Sequence, residues 1–186
     1  MPRPREFDQQ AVVDAAMQAF WGHGLATTSV DTLLQATGLA RSSMYQCLGN
    51  RDAVLELAVR RYVDIQVEAI GRLFAGDSLA ASLEAVLDEA ASHNFNGRGC
   101  LLTNGVHELH GGDASRMAVV RAGLTRIAEA LRQAIARVAP PGTDAAQRSV
   151  DVMVAIAGLR ALQRGGLPET RLREAARRYA AWLAAA

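Results

Sequence analysis

The chain of 186 residues contains no lysine, and all 20 of its basic residues are arginine. That bias follows GC-rich codon usage and carries no functional conclusion. With 19 acidic residues the formal net charge is only +1, so overall charge does not mark a nucleic-acid partner, and any such surface must come from local placement. The Pro2-Arg3-Pro4-Arg5 arm is the only clearly basic terminus. Cysteine is scarce. Cys47 and Cys100 match no disulfide framework or zinc spacing, and they are expected to be free thiols in a reducing cytoplasm. The N-terminus lacks a secretory apolar core, and the longest apolar stretch, Val152 to Leu159, is far too short to span a bilayer. Nucleophile elbow, Walker loop, dinucleotide fingerprint and zinc-protease motif are all missing, so neither an enzyme nor a bound cofactor is expected.

What is present is helical periodicity from end to end, without strand alternation. Half of the residues are hydrophobic and only 5% aromatic, a balance that favours packed helices and suffices for a sizeable core. Nine helices are expected, at about 6–22, 30–36, 41–47, 51–74, 78–93, 100–110, 114–138, 144–164 and 168–185. Turn formers and caps mark the breaks, among them Gly38, Gly49-Asn50, Gly76-Asp77-Ser78, Asn96-Gly97-Arg98-Gly99 and Pro140-Pro141-Gly142-Thr143.

The segment from Ala36 to Leu55 is the most informative. A short helix burying Val30, Leu33 and Leu34, a tight turn at Gly38 and a second helix burying Met44 and Leu48 spell helix-turn-helix, whose second helix enters the major groove of DNA. The polar face of that second helix carries Arg41, Ser42, Ser43, Tyr45 and Gln46, with no acid among them. Arg41 and Gln46 have the donors for bidentate base contacts, whereas hydroxyls and Arg51 suit phosphates.

With its flanking helices this segment resembles the DNA-binding domain of TetR-family transcriptional regulators over about residues 7–60. Phe20, Gly24, Thr28-Ser29-Val30, Leu33, Thr37-Gly38-Leu39, Met44-Tyr45, Leu48 and Asn50-Arg51-Asp52 carry the resemblance. It implies base or nearby phosphate contacts for Arg41, Ser42, Ser43 and Gln46, phosphate contacts for Tyr45 and Arg51, and, for Ser29, the start of the first helix of the motif and a place among the DNA-binding residues. Two positions depart from the pattern: Cys47 replaces a frequent histidine that touches the DNA backbone, and Leu48 replaces an aromatic core plug.

The resemblance also implies an inducer pocket bordered by the short helix near residues 100–110. Cys100, Asn104 and His107 fall at helical spacing on one face, and Phe74, Leu101 and Met117 complete the expected lining. Cys100, just after Gly99 at a helix start, is the candidate for a thiol sensor of oxidants or electrophiles. A metal site from His93, Cys100, His107, Glu108 and His110 is not expected, because their spacing supplies no ligand geometry.

The last two helices resemble half of a four-helix dimer interface, with Val150, Val154, Ala157 and Ala161 on one and Leu172, Ala176, Tyr179 and Leu183 on the other. The expected protein is thus all-α, with a DNA-binding head at 1–50 and a ligand-binding, dimerising body at 51–186. The implied function is that of a cytoplasmic homodimeric regulator, a repressor released from a palindromic operator by a small molecule of unknown identity. Thiol sensing through Cys100 is one alternative; a helical interaction protein or an enzyme, without DNA binding, is the other.

Overall fold

The computed structural model describes residues 8–92 and 97–185, so the Pro2–Arg5 arm, His93 and Asn96 lie outside the described residues. These residues form nine helices and no strand. In chain order they are α1 (Gln9–His23), α2 (Val30–Thr37), α3 (Arg41–Cys47), α4 (Arg51–Leu73) and α5 (Leu79–Ala91). The remainder are α6 (Leu101–Leu109), α7 (Ala114–Val138), α8 (Ala145–Arg164) and α9 (Glu169–Ala185).

Capping chemistry sets most of the starts. Asp8 accepts from the amides of Gln10 and Ala11, Ser29 from Thr32, Asn50 from Ala53, Ser78 from Ala81, and Asp113 and Asp144 do the same for α7 and α8. The Asp8 cap explains why α1 starts at Gln9, where periodicity alone placed the start near residue 6. Between α2 and α3 the chain turns on Gly38, whose φ of 68° is left-handed and whose amide closes onto the Leu34 carbonyl.

Two apolar clusters form the core. One joins α1–α3 to the first half of α4, to α6 and to the start of α7, through Phe20, Leu25, Leu33, Met44, Leu55 and Leu102. The other gathers the end of α4 with α5, the second half of α7, α8 and α9. Apolar packing therefore continues across residue 50, and the head rests on the body rather than hanging from it. Contact is closest at Gly105 of α6, where a Cβ would lie 2.5 Å from Leu25 Cδ1 and 3.2 Å from Val120 Cγ2. Because Leu25 is fully buried, Gly105→Ala is expected to destabilise the fold by about 1–3 kcal/mol. An unchanged Tm would mean that Leu25 turns aside without strain.

No helix among the described residues is long and apolar enough to cross a membrane.

Candidate DNA-binding surface and effector cavity

The α2–α3 pair presents a free polar row. Leu33, Met44 and Leu48 are spent on the core, while Arg41, Ser42, Tyr45 and Gln46 are exposed and Ser43 is half-buried. Ser29 does not point outward as a free hydroxyl; its Oγ accepts from the Thr32 amide at 3.1 Å. The Arg41 guanidinium lies 2.5 Å from Asp31 Oδ1 on α2, and both side chains are largely in solvent. An ion pair so exposed is worth at most about 1 kcal/mol, so it orients Arg41 without committing it.

Arg51 requires a correction. Its guanidinium does not face outward from the start of α4; it is turned beneath the α1–α2 loop. There Nε donates to the Thr28 carbonyl at 2.7 Å, and Nη2 donates to the carbonyls of Leu25 and Ala26. Nη1 pairs with Asp52 at 3.1 Å, and the group lies 5.3 Å above the Phe20 ring. Burial, ahead of the neighbouring Arg116 charge, lowers its pKa. The reason is local supply and demand: the loop leaving α1 carries carbonyls that no helix satisfies, and the Arg51 guanidinium supplies their donors.

Polar ties bind this head to the body, among them Asp14–Arg61 and Gln18–Arg98. Glu108, near the end of α6, accepts from the Ala26 amide at 3.3 Å. Within the body, Arg116 at the start of α7 reaches both carboxylate oxygens of Asp52 at the start of α4, at 2.9 and 3.3 Å.

Between α4, α5, α6, α7 and α8 lies an internal cavity of about 70 Å³. Ile70, Leu73, Leu124, Ile127, Leu131 and Met153 provide apolar walls. Its polar end combines Tyr62 and Gln66 of α4, Cys100 and Thr103 at the start of α6, Arg160 of α8 and, from α5, Glu89. The Tyr62 hydroxyl donates to Cys100 Sγ at 3.5 Å, and Arg160 donates to Tyr62 Oη at 3.1 Å and to Gln66 Oε1 at 3.3 Å. Burial pushes the Cys100 thiol up, but the Arg160 guanidinium, the Tyr62 hydroxyl and Thr103 together bring it below the usual thiol value. Burial, foremost, drives the Tyr62 phenol upward, so it stays protonated.

Of the expected pocket residues, this cavity contains only Cys100. Phe74 is buried in the cluster of α5 and α9, and Leu101 and Met117 are buried in the head-side cluster. Asn104 turns back to donate to the Arg98 carbonyl at 2.8 Å, and His107 is exposed. The physical cause is the helix start: Cys100 is the N-cap, with extended backbone, so the helical spacing counted from it does not put it on the Asn104–His107 face. Sequence reasoning missed Tyr62, Gln66 and Arg160. An arginine near the end of an apolar helix reads as a surface residue, and the one available signal was that α8 is apolar on nearly all sides. No group of three or more potential metal ligands occurs among the described residues.

The outer face of α8 and α9 is apolar and uncovered. Val154 is 67% and Trp182 59% exposed, and Val150, Leu162, Leu167 and Tyr179 are exposed beside them. Leu159, Leu172 and Leu183 line the groove between the two helices. Here too the sequence expectation needs correcting. Leu172, Ala176 and Leu183 are buried within the chain in the cluster shared with α5, and Ala157 lines the internal cavity, whereas Ala161 is exposed with Val150, Val154 and Tyr179. The α9 helix carries two apolar stripes, and sequence could not assign which of them faces α5.

No family model matches the chain. The HTH-type transcriptional repressor ComR of Escherichia coli (strain K12) is 30% identical over 107 residues, which is 55% of this chain and 51% of that protein. An uncharacterized HTH-type transcriptional regulator of Bacillus subtilis (strain 168), YezE, is 30% identical over 93 residues, 50% of this chain and 48% of its own. The chain thus spans about half the length of the curated relatives it matches. Among solved structures, a cysteine mutant of the TetR-family regulator CifR complexed with a 26-base-pair operator duplex superposes with a TM-score of 0.80. It is 20% identical, covering 96% of this chain and 97% of that one. FadR from Bacillus subtilis in complex with stearoyl-CoA gives a TM-score of 0.70 at 14% identity, covering 95% and 98%. Helix order, the capped α2–α3 pair and these superpositions agree: the chain has the fold of the TetR-family transcriptional regulators.

Proposed function

We propose that the protein is a homodimeric, sequence-specific DNA-binding transcriptional regulator, a repressor whose operator affinity is lowered by a small molecule in the internal cavity. The observation that carries the reading is the exposed row of Arg41, Ser42, Tyr45 and Gln46 on a helix whose other face is locked in the core. Arg41 and Gln46 would read base edges; Ser42, Ser43 and Tyr45 would hold phosphates and set register. ComR, a repressor by its own description, and the operator-bound CifR support the direction.

A palindromic operator requires two reading helices one duplex turn apart, roughly 34–36 Å, or a multiple of it. Pairing through the uncovered α8–α9 face would supply them. The head is tied to the body at Ala26–Glu108, and this tie sits on the helix whose other end opens the cavity. A ligand that displaces α6 would therefore shift the head, weakening DNA binding by its differential affinity for the two arrangements and no more.

Selection of bound duplexes from a random pool, followed by titration at several salt concentrations, tests this. The selected site is expected to be an inverted repeat, with affinity falling steeply as salt rises because phosphate contacts release counterions. Arg41→Ala should weaken binding by about 1–3 kcal/mol and relax specificity, and Tyr45→Phe should weaken it at unchanged Tm. Equal wild-type affinity for scrambled duplexes would leave a helical interaction protein as the better account.

A further inference from the structure

We propose that Cys100 is a covalent sensing site, whose sulfur adds to a small α,β-unsaturated aldehyde or ketone held in the internal cavity with its carbonyl oxygen at Arg160. Only the consequence for DNA rests on the regulator reading; the addition chemistry stands apart from it.

The two cysteines occupy opposite environments. Cys47 is exposed on α3, while Cys100 is buried and lines the cavity. An apolar surrounding by itself would make a thiol inert. Here a guanidinium, itself almost wholly buried, and a phenol hydroxyl stand beside the sulfur, and together with Thr103 they more than offset the burial. The thiolate is the nucleophile, so its stabilisation beside this cavity is a chemical property and not merely a packing one.

The cavity also limits what can react. At about 70 Å³ it admits only a few heavy atoms without widening. Its walls are aliphatic, which favours a hydrocarbon body, and Glu89 in the lining disfavours an anion. At the polar end the Arg160 guanidinium is the donor that suits a single acceptor oxygen. A short enal or enone has these features, with an electrophilic carbon two bonds beyond the carbonyl carbon.

In the addition the Cys100 sulfur forms a C–S bond to the β carbon, and the π pair shifts to the carbonyl oxygen, where the Arg160 guanidinium stabilises the enolate charge. The proton lost by the thiol, carried by solvent or the Tyr62 hydroxyl, ends on the α carbon. Nothing is oxidised or reduced and no group leaves. The adduct would sit at the N-cap of α6, the helix whose far end holds the Ala26 amide through Glu108.

The test exposes the full wild-type chain to but-2-enal over a range of pH and follows each cysteine by peptide mass spectrometry, with exposed Cys47 as the internal reference. Cys100 is expected to react at least about tenfold faster than Cys47 at neutral pH, and its rate should level off at lower pH because its thiolate forms earlier. Tyr62→Phe keeps the ring in the core but removes the hydroxyl, and should slow Cys100 roughly tenfold while raising the pH at which its rate levels off. Reaction of Cys100 no faster than Cys47 would overturn the proposal. So would faster oxidation of Cys100 by hydrogen peroxide than addition of but-2-enal, which would make it an oxidant site. If the adduct forms but the unmodified protein binds no duplex, the regulator reading fails and the covalent site stands.

Discussion

Replacing Trp182 with glutamate is expected to convert the protein from dimer to monomer and to abolish tight operator binding while leaving the helical fold intact. Trp182 is 59% exposed in the single chain, next to Val154, Tyr179 and Leu162. Its loss therefore removes little from the chain's own core. In a two-fold interface the same residue occurs on both protomers, so one substitution puts two unpaired carboxylates into a surface meant to be dry. Leaving a buried charge uncompensated destabilises by about 3–5 kcal/mol, which shifts the dimer dissociation constant by about two to four orders of magnitude. Sedimentation at micromolar concentration should show a dimer for the wild type and a monomer for the variant, at nearly equal helical content. Val154→Glu should behave in the same way. A monomeric wild type under these conditions would remove the α8–α9 face as the pairing surface.

Arg51→Met is expected to produce the opposite pattern, with stability lost first and DNA binding lost as a consequence. Methionine keeps apolar bulk above Phe20 but carries no donor, which leaves the carbonyls of Leu25, Ala26 and Thr28 without their shared partner. Each unsatisfied buried group costs about 1–3 kcal/mol. With the loop partly open to water, a total of about 2–4 kcal/mol follows, and Tm should fall by roughly 5–15 °C. Arg51→Lys should rescue little of this, since one ammonium cannot span three carbonyls that a planar fork reaches at once. The comparison with Tyr45→Phe separates the roles, because that substitution touches no core contact. If Arg51→Met kept the wild-type Tm and lost only operator affinity, Arg51 would be a phosphate contact after all.

The residues whose placement was foreseen are those governed by local chemistry. Ser29, Asn50, Ser78 and Asp113 cap helices because their side chains meet amides two or three residues on; Asp144 does the same for α8, one residue past the break that the sequence marked at Thr143. The turn at Gly38 needs only its own left-handed backbone. The row from Arg41 to Gln46 follows from one helical turn with Met44 at its centre, so its outward side could be read from the same few residues.

Apart from the Cys100 face, which its own N-cap backbone decided, the errors involve partners distant in the chain. Arg51 was assigned to phosphate by its donors and the resemblance, yet its direction was decided by carbonyls 23 to 26 residues earlier. Leu172, Ala176 and Leu183 form an apolar stripe whichever surface they meet, and only the packing of α9 on α5 turned that stripe inward and left Tyr179 and Trp182 outside. The polar end of the cavity joins Tyr62, Cys100 and Arg160, residues 38 and 98 positions apart by the two hydrogen bonds that link them. Sequence by itself determined the helices, their caps and the outward face of α3, because hydrogen bonding and periodicity act within a few residues. Tertiary structure alone decided the inward turn of Arg51, the polar end of the cavity and the free face of α9, because burial and desolvation depend on which surfaces meet.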